Sequence, residues 1–388
     1  MSVMIDPGLM TGLHRYGKMD VNACFSCGNC TAICPLSDND VAFPRSVIRL
    51  AQVGLEQDLV SSKELWTCYQ CGRCTDRCPQ EADPSAFMAT ARRYAIAHYD
   101  KTRIAKTLYT RPVLGGVIVL AFALAFAAFF VSVKEQESRE SLALFGFIPY
   151  PIIHTAGLVL IVVVAVLALV SLGLLARDMA RNEGVTARSL FGGRAAWGRT
   201  VRAAWYALGV EAAGQTRYRK DCADDQPAEP LYRRRWLIHM LTLWGFLGLL
   251  AATIINYGLD VLGIKPTGTM VPLWYPVRLL GTVAGLALMY GVTFFMLRRR
   301  RESKQGKPSA PTDWLFLWML WLVGLSGFLI EVALYIQPVQ VWGYWVFLVH
   351  VALAMELVLF LPFTKFAHAM YRPLALFFYG LARDKART

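Results

Sequence analysis

From Val113 to Val133 the chain runs for twenty-one residues without a charge. At 1.5 Å per residue that is enough helix to cross a hydrocarbon layer of about 30 Å. Five further apolar stretches meet the same test, at about 152–175, 236–257, 275–297, 314–336 and 343–364. The pattern therefore predicts six membrane-crossing helices. Residues 1–105 read differently, with polar and apolar positions mixed as in a water-soluble domain, so the chain divides into an arm at 1–105 and a membrane domain at 106–388. A long connection at 176–235 interrupts the membrane domain. Within it Trp197, Val201, Trp205 and Leu208 share one helical face while Arg199 and Arg202 point elsewhere. That spacing suits a helix lying in the membrane interface, and equally one packed on the soluble arm.

Composition supports the division, since 56% of residues are apolar and 17% charged, against roughly 45–50% and about 25% in soluble domains. The net charge of +13 would suit a nucleic-acid binder, but its distribution argues otherwise. With the arm in the cytoplasm, the inner connections 176–235 and 298–313 and the tail from 365 carry 23 Lys and Arg. The outer connections 134–151, 258–274 and 337–342 carry three. Positive charge concentrates on the inner side of membrane proteins, so topology accounts for the basicity and no nucleic acid is implied. Met1–Asp20 holds charges and no apolar run, which argues against a cleavable secretory signal there. The expected location is the cytoplasmic (inner) membrane, with several passes and the N-terminal domain facing the cytoplasm.

Eight of the nine cysteines fall in two runs. Cys24, Cys27, Cys30 and Cys34 precede Pro35; Cys68, Cys71, Cys74 and Cys78 precede Pro79. Both read C-x2-C-x2-C-x3-C-P, the spacing by which three thiolates reach one cubane and the fourth is turned toward another. Cys24, Cys27, Cys30 and Cys78 are thus assigned to one [4Fe-4S] cluster, and Cys68, Cys71, Cys74 and Cys34 to a second. Zinc is the competing metal, but zinc sites use two cysteine pairs and four ligands in total, not two identical runs. The intervening segment has helical apolar spacing at Val47, Leu50, Val53 and Leu55, which points to a helical ferredoxin. Cys222 reads as an isolated loop residue.

Four of the six histidines lie in or beside the spans, where ionisable groups are costly and usually functional. His350 and His368 are 18 residues apart, five whole turns of one helix, and would stand about 27 Å apart along it. Topology then pairs His154 with His350 near the outer surface and His239 with His368 near the inner one. Two facing histidines at one depth fill both axial positions of an electron-transferring haem b. Two haems are therefore expected. Arg278 outside, and Lys365 or Arg372 inside, are candidates to neutralise haem propionates. Glu331 and Glu356, acids within the fifth and sixth spans, are candidates to exchange protons with a quinone. Gly245, Gly248, Gly324 and Gly327 give room either to a porphyrin or to close helix packing.

The motifs CFSCGNCTAICP (24–35) and CYQCGRCTDRCP (68–79) resemble the C subunit of heterodisulfide reductase. The domain that follows resembles that enzyme's E subunit and the gamma subunit of respiratory nitrate reductase. Fused in this order they resemble the C subunit of the quinone-interacting membrane-bound oxidoreductases. The resemblance implies an all-α fold, a helical two-[4Fe-4S] ferredoxin followed by a six-helix dihaem cytochrome b. It also implies menaquinone as lipid carrier, two cytoplasmic flavoprotein subunits similar to heterodisulfide reductase A, and adenylylsulfate reductase as electron acceptor in sulfate reduction. An alternative is the cytochrome b/iron–sulfur subunit of a heterodisulfide-reductase-like or sulfite-reductase-linked complex. In the nitrate reductase gamma subunit the partner histidines share one helix, whereas His154 and His239 lie on two.

Overall fold

The computed structural model describes residues 4–37, 42–221, 229–265, 271–304, 309–336 and 340–385. Cys222 lies outside them. Among the described residues the chain is helical with no strand. Six helices are long and apolar enough to cross a membrane, the mark of a multi-pass membrane protein: Pro112–Val133, Tyr150–Asn182, Arg235–Val261, Pro276–Glu302, Pro311–Tyr335 and Trp342–Phe363. The second runs well beyond the apolar stretch, carrying Arg177 and Arg181 in its last turns.

The helices assemble into two compact units: Met1–Gly115 with Val166–Pro227 and Pro362–Thr388, and Gly116–Ala165 with Ala228–Leu361. In the first unit the arm does not stand alone. Its helix Pro84–Tyr99 starts with proline at its first position, and the Asp83 side chain accepts from Ala86 N at 3.0 Å. This satisfies a donor that a helix start leaves open. The helix buries Phe87, Met88, Ala91, Ala95, Ile96 and Tyr99. The end of the second span packs on the same arm: Ser171 Oγ donates to Tyr99 O at 3.2 Å, Asn182 Nδ2 to Ser61 Oγ at 2.6 Å, and Lys63 is shared between Glu64 and Glu183. The C-terminal helix His368–Lys385 joins them, with Tyr371 edge-on to Trp66 at 5.0 Å between ring centres.

Between the cysteine runs lie three helices, Arg45–Gln52, Glu56–Val60 and Lys63–Thr67, of which the first buries Val47, Ile48 and Ala51. The expected continuation through Val53 and Leu55 fails because Gly54 turns left-handed at φ +77°, where a Cβ would collide with Asp6 O.

In the second unit, helices Arg235–Val261 and Pro276–Lys304 approach so closely that side chains are excluded between them. A Cβ on Gly245 would lie 2.5 Å from Leu288 N, and one on Gly248 2.7 Å from Ala284 Cβ. These glycines serve helix packing, which in lipid depends on close contact because no hydrophobic force drives helices together. Elsewhere in this unit Phe130, Phe147, Ile148, Tyr344, Phe347 and Leu348 form a tight apolar cluster.

The last span departs most from expectation. Its helix is Trp342–Phe360, followed by 3-10 turns at Leu361–Phe363 and Lys365–Ala367, and His368 opens a new helix. Pro362 lacks the amide hydrogen that would continue the hydrogen-bond ladder. His350 and His368 therefore do not project from one continuous helix, and the five-turn register argument does not apply to them.

Candidate iron–sulfur centre and membrane histidines

The two cysteine runs adopt the same local fold. In each, the residue before the second cysteine and the glycine after it take left-handed backbone: Ser26 (φ 62°) and Gly28 (φ 87°), Gln70 (φ 53°) and Gly72 (φ 93°). Short helices Asn29–Ala32 and Arg73–Asp76 follow. Two left-handed residues curl the chain tightly enough for three cysteines at this spacing to serve one centre.

One cavity is lined by Cys30 and Cys34 of the first run together with Cys68, Cys71 and Cys74 of the second. In the other direction, Asn29 of the first run donates its side-chain amide to Arg77 O, the carbonyl just before Cys78. Burial pushes the Cys34 thiol up to about 12 and raises Cys30 and Cys74 as well. Thiolates gathered here therefore call for a positively charged centre, which iron supplies. No three His, Cys, Asp or Glu side chains among the described residues close around a single-ion point. One tetrahedral zinc would hold its sulfurs about 3.8 Å apart, given Zn–S bonds near 2.3 Å, whereas a cubane spreads them wider. The donor set fits cubanes.

Residues that motif reading missed surround the second run. Arg92 Nε donates to Leu65 O at 2.7 Å and its guanidinium also reaches Cys68 O. Arg372 Nη1 donates to Trp66 O, Thr67 O and Cys68 O at 3.1, 3.2 and 3.3 Å. Arg217 Nη2 donates to Pro35 O, next to Cys34, at 2.9 Å. The amide of Gln70 donates to Cys68 Sγ at 3.3 Å. The first run is held by a neutral group, Gln52 Nε2, which donates to Val21 O at 3.1 Å and Cys24 O at 3.0 Å, with Arg45 Nη1 at 3.5 Å from Ser26 O. Arg372, a candidate for a haem propionate, is thus committed to the cysteine arm. Near these arginines lies Glu211, buried in the π-helical stretch Tyr206–Ala213. Burial raises its pKa, opposed by Arg217 and then Arg372.

Two of the four membrane-associated histidines have their Nδ1 anchored on a backbone carbonyl. His350 Nδ1 lies 3.1 Å from Val323 O and 3.0 Å from Ser326 Oγ; His368 Nδ1 lies 2.6 Å from Lys365 O. Such a hydrogen bond fixes the ring and directs Nε2 to a metal, as in histidine-ligated centres. Gly327 stands beside His350, where a Cβ would lie 3.3 Å from Cε1. His154 has a different setting, its ring 3.9 Å from that of Tyr150 and 4.7 Å from Tyr257, while Tyr150 donates to Asp260 Oδ2 at 2.9 Å. His239 lies edge-on to Phe295 at 6.2 Å. His154 and His350 belong to the second unit; His239 and His368 belong to different units. Arg278 and Glu331, assigned separate roles from sequence, form an ion pair of 2.8 Å. Glu356 is 2% exposed and its Oε1 has no hydrogen-bond partner among the described residues. The carbonyl of Lys365 is the acceptor for His368.

Residues 20–82, which hold all eight clustered cysteines, match the 4Fe-4S dicluster domain family. Residues 113–388, well over half of the chain, match the Citrate utilization protein B family. The chain belongs to the Citrate utilization protein B family. The Citrate utilization protein B of Escherichia coli is 28% identical over 170 residues, 43% of this chain and 43% of that protein. The C subunit of the H(2):CoB-CoM heterodisulfide,ferredoxin reductase of Methanothermobacter thermautotrophicus is 34% identical over 62 residues, 16% of this chain and 34% of that protein. Its counterpart in Methanothermobacter marburgensis matches to the same extent. The chain thus spans less than half the length of the curated relatives it matches. No solved structure matches. The likeness to the heterodisulfide reductase C subunit holds for the cysteine arm, and the Citrate utilization protein B family accounts for the membrane domain.

Proposed function

We propose that this chain is the membrane electron-transfer subunit of a quinone-linked oxidoreductase. It passes electrons between menaquinol and a soluble cytoplasmic partner through two haems b and two [4Fe-4S] clusters. One observation carries the reading: two alike cysteine folds, with Cys30 and Cys34 of the first lining a cavity beside the second, share a chain with six spanning helices and carbonyl-anchored histidines. Clusters and haems supply reversible one-electron exchange; this chain's residues hold them, set their charge environment and move protons. His350 and His368 would hold the haems, with His154 and His239 as their partners. Glu356, buried with Oε1 free of any hydrogen bond among the described residues, is the better placed acid to accept a quinol proton, because Glu331 is committed to Arg278. Quinol oxidation is assigned to the outer end, near His350.

The likeness of the cysteine arm to a heterodisulfide reductase subunit supports flavoprotein partners similar to heterodisulfide reductase A, with adenylylsulfate reductase as acceptor, as in the quinone-interacting membrane-bound oxidoreductases. A second reading keeps the same electron path and changes the partner. The family match covers the larger part of the chain and bears the name of citrate utilization, which favours a soluble oxidoreductase acting on citrate or a related organic acid.

An optical and EPR redox titration of the purified chain tests the electron path. The expected result is two b-type haem signals and two [4Fe-4S] signals, all reducible by a menaquinol analogue; colourless or zinc-loaded protein overturns it. Purification of the native assembly separates the two partners: co-purifying adenylylsulfate reductase supports the first, an organic-acid oxidoreductase the second.

A further inference from the structure

Helix Arg194–Trp205 is built the reverse of a helix on a water-soluble domain. Its inward face is small, with Ala196, Thr200 and Ala203 buried, and Ala207 continues that face into the next turn. The fit against the C-terminal helix is close: a Cβ on Gly380 would lie 3.3 Å from Ala203 Cα. The one polar group on this face, the Thr200 hydroxyl, is satisfied by Leu190 O and Ala196 O at 2.9 and 3.1 Å. The large apolar residues point outward: Trp197 is 55% exposed, Val201 47%, Trp205 70% and Leu208 60%, and Phe191 just before them is 62% exposed.

This stripe lies outside the six spans. Chain connectivity keeps it near a membrane edge, because the helix of the second span leaves its apolar stretch near residue 175, ends at Asn182, and the capped turn Ala187–Phe191 follows at once. Its charge is of one sign: Arg188, Arg194, Arg199 and Arg202 lie between Glu183 and Glu211 with no acidic residue among them. Arg188, Arg194 and Arg202 are exposed. Tryptophan and other large apolar groups flanked by arginines, on a helix tied to the end of a spanning helix, have the chemistry of the boundary between acyl chains and headgroups.

We propose that the outward face of this helix is a binding surface for anionic phospholipid, with Trp197, Val201, Trp205 and Leu208 among the upper acyl carbons and the arginines on the phosphates. The surface fixes the inner ends of the second span and the C-terminal helix at a set depth beneath the cysteine arm. It is independent of which soluble partner the chain serves.

The test uses the full cofactor-loaded chain in nanodiscs, with Cys222→Ser as background and a spin label introduced at Trp197→Cys or Leu208→Cys. Thr186→Cys, at the exposed cap of the preceding turn, is the water-facing control. Labels on the stripe are expected to be more accessible to oxygen than to a water-soluble nickel chelate, with the control showing the opposite. Replacing Arg188, Arg194 and Arg202 by Gln should reduce retention of anionic phospholipid through detergent washing, by roughly fivefold per arginine, with unchanged visible absorbance showing an intact fold. Stripe labels open to the nickel chelate in anionic nanodiscs would overturn the proposal. So would labels that become shielded only when a soluble partner protein is added, or lipid retention indifferent to the three arginines.

Discussion

The two cysteine runs are near-duplicates in backbone and opposites in surroundings. Both curl through a left-handed polar residue and a left-handed glycine. Cys27 of the first is exposed, and its loop hangs chiefly on the neutral amide of Gln52. The second lies against Arg92 and Arg372, both directing their donors to carbonyls beside its cysteines, and Arg217 donates to Pro35 O next to Cys34, which lines the same cavity. A reduced cluster carries one more negative charge than an oxidised one, so nearby cations and hydrogen bonds raise its reduction potential. One repeated motif is therefore expected to give two steps of unequal potential: a lower-potential centre at Cys24, Cys27 and Cys30, where Cys27 is exposed, and a higher-potential one at Cys68, Cys71 and Cys74, which are partly buried.

This contrast is most exposed to test at the crossing of the fourth cysteines. With Cys34 lining the cavity of the second run, Cys34→Ser should remove the higher-potential cluster and leave the lower; Cys78→Ser should do the reverse. EPR of the reduced variants, together with iron counts, reads this directly. Loss of the lower-potential signal in Cys34→Ser would show that each run binds its own cluster.

A smaller effect is expected from charge alone. At a separation of roughly 8 Å and an effective dielectric of about 20, one charge is worth ~2 kcal/mol, or roughly 90 mV for one electron. Arg372→Gln keeps a donor for the carbonyls of Trp66–Cys68 and removes the charge. It should lower the second cluster's midpoint by tens of millivolts up to about that value and leave the first unmoved. Equal shifts in both clusters would mean that the arginines act on the fold and not on one centre.

Very little of this asymmetry was legible in the sequence. The cysteine spacing and the long apolar runs are local patterns, so a 4Fe-4S dicluster arm, six spans and an all-helical architecture could be read from them. The arginines could not, because Arg217 and Arg372 meet Pro35 and Cys68 across a separation of 182 and 304 residues, and no periodicity reports such a contact. The single-helix reading of His350 and His368 failed at Pro362, where spacing counted turns that the backbone does not complete. Gly245 and Gly248 left open a porphyrin slot or helix packing, and only the neighbouring backbone decides for packing. The outward face of Arg194–Trp205 was marked correctly by its spacing, but which side it turned to the protein depended on the small residues opposite.

Glu211 offers a pH-dependent refinement on the side of the arginines. Burial holds its folded pKa above the ordinary carboxylate value, so the folded state binds the proton more tightly than the unfolded chain does. Its penalty is absent below the ordinary carboxylate pKa and grows as pH rises through the raised value. Glu211→Gln should therefore increase Tm at pH 8 relative to the parent chain and leave it nearly unchanged at pH 4. A variant less stable at pH 8 would show that the carboxylate serves as a counter-ion to Arg217 and Arg372, outweighing its burial.

The smallest effect should come from Gln52, the uncharged side chain that supports the first run. Gln52 donates to Val21 O and Cys24 O and leaves its Oε1 without a partner among the described residues. Alanine there removes two hydrogen bonds, each worth about 1 kcal/mol net, from a loop that is partly solvated and can recruit water in their place. We expect Gln52→Ala to lower Tm by a few degrees, with both cluster midpoints within error of the parent. The two contacts go to backbone carbonyls and not to sulfur, so the electrons on the cluster have little to feel. A midpoint shift as large as that of Arg372→Gln would make loop rigidity, and not Arg92 and Arg372, the origin of the difference between the runs.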